Sequence, residues 1–296
     1  MENSFDQDSL WPKIRPYLFI LPAMVFLAIF VVYPVIDLCI RSFQKWDMIS
    51  DPTWVGLKNY TYNFKKKEFI DSIWHTCIYA VFLVGVGLPL STVFAVWLNK
   101  NTFLNNAVRN VMFMPHVISL LSVAMVWAWL MDKETGLLNL VLTTFGLQPL
   151  KWFDSSDTAM MSIIIVAIWK AVGYNTMLIY AALQNVPAEL YEAADLDNAS
   201  RVGKFFKITV PMISPQLFMM LITATTGSFK VFETVRILTQ GGPGTSTQVL
   251  VYFVYKQAFY LNKIGYAAAA GVVLMGIIGV MTIIYFWALS KKVHYQ

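Results

Sequence analysis

Along this 296-residue chain, runs of about twenty apolar residues recur with almost no charge inside them, and nothing else limits the fold as tightly. A hydrocarbon core roughly 30 Å thick needs about 20 apolar residues of helix to cross it. The runs cover about 17–39, 73–98, 111–131, 160–183, 212–231 and 267–289. Charged residues make up 13% of the chain and hydrophobic ones 57%. A soluble domain carries about 25% charged residues, so most of this surface cannot face water. The expectation is an all-α integral membrane protein with about six transmembrane helices. They form one domain over 17–290, with short termini at 1–16 and 291–296. The first run is too long for a signal-peptide core, follows Glu2, Asp6 and Asp8, and lacks a small-residue cleavage site, so it reads as a span.

The segment 249–259 is apolar but short, and Lys256 interrupts it. Such a length suits an interfacial or re-entrant piece better than a span, with seven spans as the alternative. Gly85, Gly87 and Pro89 fall inside the second run, where small residues allow close helix approach. Cys39 and Cys77 both lie in apolar runs and read as small buried hydrophobes. Three long connections, about 41–72, 132–159 and 232–266, fall on one side of the membrane, and the shorter loops and both termini on the other.

The net charge of +5 does not point to nucleic acid, because the basic residues are scattered and only Lys65, Lys66 and Lys67 cluster. A solvated or headgroup-facing loop accounts for them. Nine basic residues lie on the side holding the termini and twelve on the other, so the positive-inside rule leaves the orientation open.

The segment 187–215, PAELYEAADLDNASRVGKFFKITVPMISP, lies between the fourth and fifth runs. Pro187 and the early acids Glu189 and Glu192 suit a helix start. Asp197-Asn198 supplies a turn, since asparagine tolerates the left-handed backbone, and Ser200 can cap a second short helix carrying Arg201, Lys204 and Lys207. The result is an elbow outside the membrane. Lipid-surface helices carry basic polar faces. The acidic first helix, with small Ala193 and Ala194, fits a protein groove better, although an amphipathic loop on headgroups is the other reading.

This elbow resembles the EAA loop of binding-protein-dependent ABC importer permeases, E-A-A-x-x-x-G followed by I-x-L-P. Glu192, Ala193, Ala194, Ile208 and Pro211 stand at matching positions, Val210 replaces the leucine and Asn198 replaces the glycine. The stretches 54–60, 136–139, 238–243, 258–259 and 265–269 are similar to the sugar-importing branch, including maltose-type and sn-glycerol 3-phosphate permeases. The resemblance implies a type I importer permease fold with termini and elbow in the cytoplasm of a bacterium or archaeon. It implies coupling to an ATPase through Glu189, Glu192, Ala193, Ala194, Asp197 and Asn198. It also implies a second homologous permease, two ATPase subunits and an extracellular solute-binding protein as partners. The cargo would be a sugar or oligosaccharide, or alternatively a polyol phosphate.

The chain has no G-x-x-x-x-G-K-[ST] loop, so ATP and magnesium are expected on the partner ATPase and no cofactor on this chain. His75, His116 and His294 are far apart, no metal-ligand spacing occurs, and no activated serine or cysteine motif marks an enzyme. Lys170 is the conspicuous intramembrane charge, costing at least about 2.5–3.5 kcal/mol unless it finds a polar cavity, a partner or an interface. Trp169, Gly173, Tyr174, Asn175 and Thr176 surround it, and Ser228, Lys230, Phe232 and Glu233 end the fifth run. Aromatic faces among amides and hydroxyls suit a sugar, so these are the candidate pathway residues, with plain helix packing as the alternative. Lys230 and Glu233, three apart, are expected to pair on one helix face. An ion-coupled secondary transporter is the rival from another class, though the spans offer few acids for an ion site.

Overall fold

In hydrocarbon no water is available for unpaired backbone groups, so an apolar segment must close its hydrogen bonds internally, and helices do so. The computed structural model describes residues 10–289. The residues before and after, including His294 and the outermost parts of both expected termini, lie outside the described residues.

Helix α1 (Ile14–Ser42) is the most apolar, and none of its most hydrophobic window is buried in the chain. A two-stranded antiparallel ribbon follows, β1 (Gln44–Lys45) with β2 (Thr53–Trp54). Then come α2 (Lys58–Lys65) and the long α3 (Lys67–Trp97). Helix α4 (Phe103–Val117) is capped by Thr102, whose hydroxyl accepts from the Asn105 amide at 3.2 Å. Helices α5 (Leu120–Leu130) and α6 (Leu137–Thr144) lead to α7 (Ala159–Leu183), which at 1.5 Å per residue is about 37 Å long. The elbow helices α8 (Ala188–Leu196) and α9 (Arg201–Met212) precede α10 (Ser214–Phe229) and α11 (Glu233–Leu238). Helix α12 (Leu250–Tyr255) and α13 (Ile264–Leu289) complete the chain. Among the described residues four helices are long and apolar enough to cross a membrane, and up to six spans result if α4–α5 and α9–α11 each count as one broken span.

Three π-helical turns, Ala28–Val32, Leu83–Gly87 and Phe205–Thr209, each end two residues before a proline: Pro34, Pro89 and Pro211. Proline offers no amide to the carbonyl four residues back and crowds it. That residue is Phe30, Gly85 or Lys207, the centre of each turn. Widening the helix there accommodates the lost bond without breaking the helix.

The third run does not form the straight span expected over 111–131. Helix α4 starts earlier, at Phe103, and α5 is bent from it by 103°. Ile118 and Ser119 are extended between them, with ψ of 141° and 135°. The fifth run is likewise later and shorter than 212–231: Ile213 breaks α9 from α10 with a 70° bend, and the helix closes at Phe229. The segment 249–259 is not among the helices long enough to span; it forms the short α12 and a π-helical turn, Lys256–Tyr260, packed on the chain. Leu250 and Phe253 are fully buried between α3 and α13, and the Leu250 amide donates to Thr76 Oγ1 at 2.9 Å. Cys39 and Cys77 are half-buried and free.

Helix α7 is the central post, with half of its most apolar window buried against α3 and α4. Gly173 makes the closest crossing: a Cβ there would lie 1.6 Å from the Met112 carbonyl oxygen. The long connections gather at one end. The Ile264 amide donates to the Trp46 carbonyl at 3.0 Å, and Leu238 packs with Met131 and Trp152. At the other end Gln184 Nε2 donates to Asn99 Oδ1 at 2.8 Å, and the elbow emerges just beyond.

Candidate functional site: an elbow and an intramembrane recess

The elbow is held by local bonds that its sequence specifies. Pro187 precedes α8, and Asn198 closes it at φ +49°. The Ala199 amide donates to the Ala194 carbonyl at 2.9 Å and the Asn198 amide to the Asp195 carbonyl at 3.1 Å. This pair of bonds is a Schellman cap, which uses up carbonyls that a helix end would otherwise leave free. Ser200 Oγ accepts from the Gly203 amide at 3.1 Å and caps α9. Two side-chain ties then fix the angle between the helices: Lys204 Nζ to Asp195 Oδ1 at 2.5 Å, and Tyr191 Oη with Thr209 Oγ1 at 3.0 Å.

Ala194 is buried beneath α8, so the helix presents its opposite face. Glu189, Glu192, Ala193 and Leu196 are all exposed and follow the i, i+3, i+4, i+7 spacing of one helical face. Asp197 and Asn198 are exposed beside them. Leu196, at 86% exposure, is a residue that the sequence reasoning missed. Its only advance signal is its place one turn beyond Glu192 and Ala193. A small residue and a large apolar one flanked by acids suit a protein groove, where apolar contact supplies affinity and charge sets register.

Within the membrane the candidate pathway residues divide between two faces of α7. Tyr174 and Asn175 line a recess of about 320 Å³ between α7 and α10, joined by Leu178, Gln216, Met219 and Thr223. Gln216 and Thr223 were not anticipated, because their run also carries Ser214, Thr225, Thr226 and Ser228 and nothing in its order singles these two out. Trp169 and Gly173 instead line a separate apolar groove with Leu90, Phe94 and Val111. Trp169 stands edge-on to Trp127 at 5.4 Å. Thr176 is buried and donates to the Ser91 carbonyl at 3.4 Å, and Ser228 donates to the Ala224 carbonyl at 2.6 Å. Both are spent on helix packing.

Lys170 reaches the break between α4 and α5, where its Nζ donates to the Ile118 carbonyl at 3.3 Å. A helix C-terminus carries partial negative charge, so the ammonium meets the group that the break leaves unpaired. Tyr174 stacks on His116 at 4.1 Å just above it. His75 Nδ1 lies 3.1 Å from the Gln248 carbonyl. The expected Lys230–Glu233 pair does not form. Lys230 caps the end of α10 and Glu233 opens α11, so the two residues share no helix face. Phe232 packs instead against Tyr255 at 4.9 Å.

Arg109 was also missed. It is 5% exposed, with its guanidinium 3.5 Å from the Tyr180 ring centroid, and it donates to the Leu98 carbonyl at 3.0 Å and to Asn106. It ties the end of α3 to α4 and α7 on the elbow side.

Intact and broken apolar helices, an uncharged polar recess between α7 and α10, and a polar elbow beyond the helix ends are the parts that a membrane transport subunit needs. The chain belongs to the binding-protein-dependent transport system inner membrane component family, whose match covers residues 87–294. It is therefore the membrane permease subunit of an ABC importer. It is 39% identical over 270 residues to the probable ABC transporter permease protein YurN of Bacillus subtilis (strain 168), covering 89% of this chain and 91% of that one. It is 34% identical over 275 residues to the arabinooligosaccharides transport system permease protein AraP of the same organism, covering 92% and 87%. The sn-glycerol-3-phosphate transport system permease protein UgpA of Escherichia coli O157:H7 is 31% identical over 285 residues, with 95% and 96% covered. In the crystal structure of a bacterial alginate ABC transporter with a pentasaccharide-bound periplasmic protein, one chain shares the fold with a TM-score of 0.83. It is 23% identical and covers 97% of this chain and 99% of that one. The membership decides against the ion-coupled alternative.

Proposed function

We propose that this permease imports a neutral sugar or short oligosaccharide handed over by a solute-binding protein. The α7–α10 recess carries this reading. Its lining offers an aromatic ring, two amides and a hydroxyl, with no charged residue among Tyr174, Asn175, Gln216 and Thr223 or their apolar neighbours. A sugar ring needs an apolar face and hydrogen-bonding groups, whereas a phosphate needs cations. Lys170, the nearest intramembrane ammonium in sequence, is turned to the Ile118 carbonyl. The glycerol phosphate reading therefore loses its main charge partner on this chain, although one relative carries that cargo in its name.

The elbow supports the rest of the proposal. Glu189, Glu192, Ala193 and Leu196 dock into one of two ATPase subunits on the cytoplasmic face, with Asp197 and Asn198 shaping the turn. ATP and magnesium are held there and not on this chain. Both termini then lie in the cytoplasm, and the long connections face outward to the binding protein. A second homologous permease faces this one across the pathway. ATPase closure moves α8, and with it α7 and α10, so that the recess opens to alternate sides.

Two measurements test the proposal. Glu192→Lys is expected to leave the subunit inserted while a tagged chain no longer co-purifies with the ATPase; retained association and uptake would refute the docking role. Uptake of the transported solute should be competed by neutral saccharides and not by sn-glycerol 3-phosphate; the reverse pattern would refute the cargo class.

A further inference from the structure

A second recess, of about 350 Å³, lies outside the transport pathway at the end opposite the elbow. Its walls come from the segment after α1 and the start of α13, and include Trp46, Asp51, Asn59, Tyr62, Lys263 and Tyr266. We infer that this recess is an accessory binding site for a neutral saccharide on the outer face of the permease.

The cavity is built rather than incidental. Asn59, 3% exposed, donates through Nδ2 to the carbonyls of Ser42 and Gln44, both at 2.8 Å. Asn63, 1% exposed, donates to the Tyr266 carbonyl at 2.9 Å. Gly265 sits so close to the ribbon that a Cβ there would lie 2.0 Å from the Gln44 carbonyl oxygen. These bonds bring two distant parts of the chain into one rigid wall, and pre-formed walls lower the ordering cost of binding. The floor of the 47–50 turn is fixed as well, since Asp47 Oδ1 accepts from the Ser50 amide at 2.8 Å and the Ile49 amide at 3.0 Å.

The chemistry of the lining selects the ligand. Tyr62 and Tyr266 stack at 4.1 Å, and Trp46 carries the Arg41 guanidinium on its ring at 4.4 Å. The faces of the two phenols are taken up by each other and by Lys66 and Lys263, so what the three rings offer at the recess wall is apolar contact for the C–H groups of a sugar rather than an open stacking platform. Around them stand Lys45, Lys263, Asp47 and Asp51, two positive and two negative groups, so the recess has no net charge to select an anion. None of Lys45, Lys263, Asp47 and Asp51 joins an ion pair among the described residues. They and the Asn262 amide are placed to serve hydroxyls as donors and acceptors, Asn59 adds only its Oδ1 as an acceptor, and charged partners make the stronger bonds. A volume of this order falls within the range of small-ligand sites.

The inference rests on the proposed orientation, in which this end faces outward, and its test separates the two. A chain with Cys39→Ala, Cys77→Ala and Ser50→Cys is assembled in right-side-out membrane vesicles without the binding protein. A membrane-impermeant maleimide is added with or without maltotriose, arabinotriose or sn-glycerol 3-phosphate. Labelling at Ser50→Cys, slowed by at least one neutral trisaccharide and not by the phosphate, is the expected result. The slowing should be lost in Trp46→Ala and in Asp51→Asn, with the unprotected labelling rate kept. Labelling at one rate under every saccharide overturns the inference and leaves the orientation standing. Labelling only in inverted vesicles overturns the orientation itself. Protection by the sugar-free binding protein alone would mean that the recess receives a protein loop, which also overturns the saccharide site.

Discussion

Gly173 gives the sharpest test of the packing that holds the recess. In Gly173→Ala the new Cβ would lie 1.6 Å from the Met112 carbonyl oxygen and 2.4 Å from its carbon. Carbon and backbone atoms rest about 3.5 Å apart at best, so α4 and α7 must separate by well over an ångström. Neither atom belongs to a flexible side chain that could swing away. Forcing a methyl into a packed contact costs about 1–3 kcal/mol, and a backbone obstacle puts this site at the upper end. The shift falls next to the Lys170–Ile118 bond and the Tyr174–His116 stack, so transport should suffer along with stability. Gly276→Ala and Gly279→Ala serve as controls, because no atom lies within 4 Å of a Cβ at either position of α13. There the same change should be neutral or stabilising, by up to about 1 kcal/mol from helix propensity alone. Thermal unfolding in detergent, read by monodisperse recovery after heating, compares the three. Equal tolerance of alanine at Gly173 and Gly276 would refute the close crossing and the placement of α4 derived from it.

Asn198→Gly should leave elbow stability unchanged or slightly raised, while Asn198→Ala should weaken it by roughly 1 kcal/mol, because φ is +49°. Hydrogen exchange at the Ala199 amide, bonded to Ala194, reports this directly, and faster exchange in the glycine variant would contradict it. Lys170→Met removes an intramembrane charge worth about 2.5–3.5 kcal/mol but strands the Ile118 carbonyl at about 1–3 kcal/mol. The two nearly cancel, so the protein should fold; Lys170→Glu sets a carboxylate against that carbonyl and should not yield folded protein. Arg109→Lys loses both the flat contact with Tyr180 and the forked donors to Leu98 and Asn106, and should lower the melting temperature although charge is kept. The Asp47 carboxyl, held down at about 2 by the amides of Ser50 and Ile49, helps the 47–50 turn above its ordinary value of 3.8 and stops doing so as pH falls through about 2. Amide exchange at Ser50 should therefore stay slow at pH 4 and quicken only in stronger acid.

The sequence by itself determined the class of solvent, the helical content and the elbow. Those depend on local properties: apolar runs long enough to cross a bilayer, and a proline, an asparagine and a serine at the points where the chain must start, turn and restart. The Asn198 turn and the Ser200 cap were legible because capping bonds reach only three to five residues along the chain. The family resemblance was legible for the same reason, since its motifs are short and ordered.

Tertiary structure alone decided where the polar groups of the spans go. Periodicity places Trp169, Lys170, Tyr174 and Asn175 on one helix, but which neighbour each meets depends on α4, α5 and α10. The break at Ile118–Ser119 is hidden in an unbroken apolar run, and it turns Lys170 from a cavity charge into a cap for a stranded carbonyl. The Lys230–Glu233 expectation failed because it assumed a continuous helix where α10 ends at Phe229. Gln216 and Thr223 gain their place in the recess only through the crossing of α7 and α10. Hydropathy measures how much of a segment avoids water. In a membrane both the lipid face and the buried face do so, and only packing tells them apart.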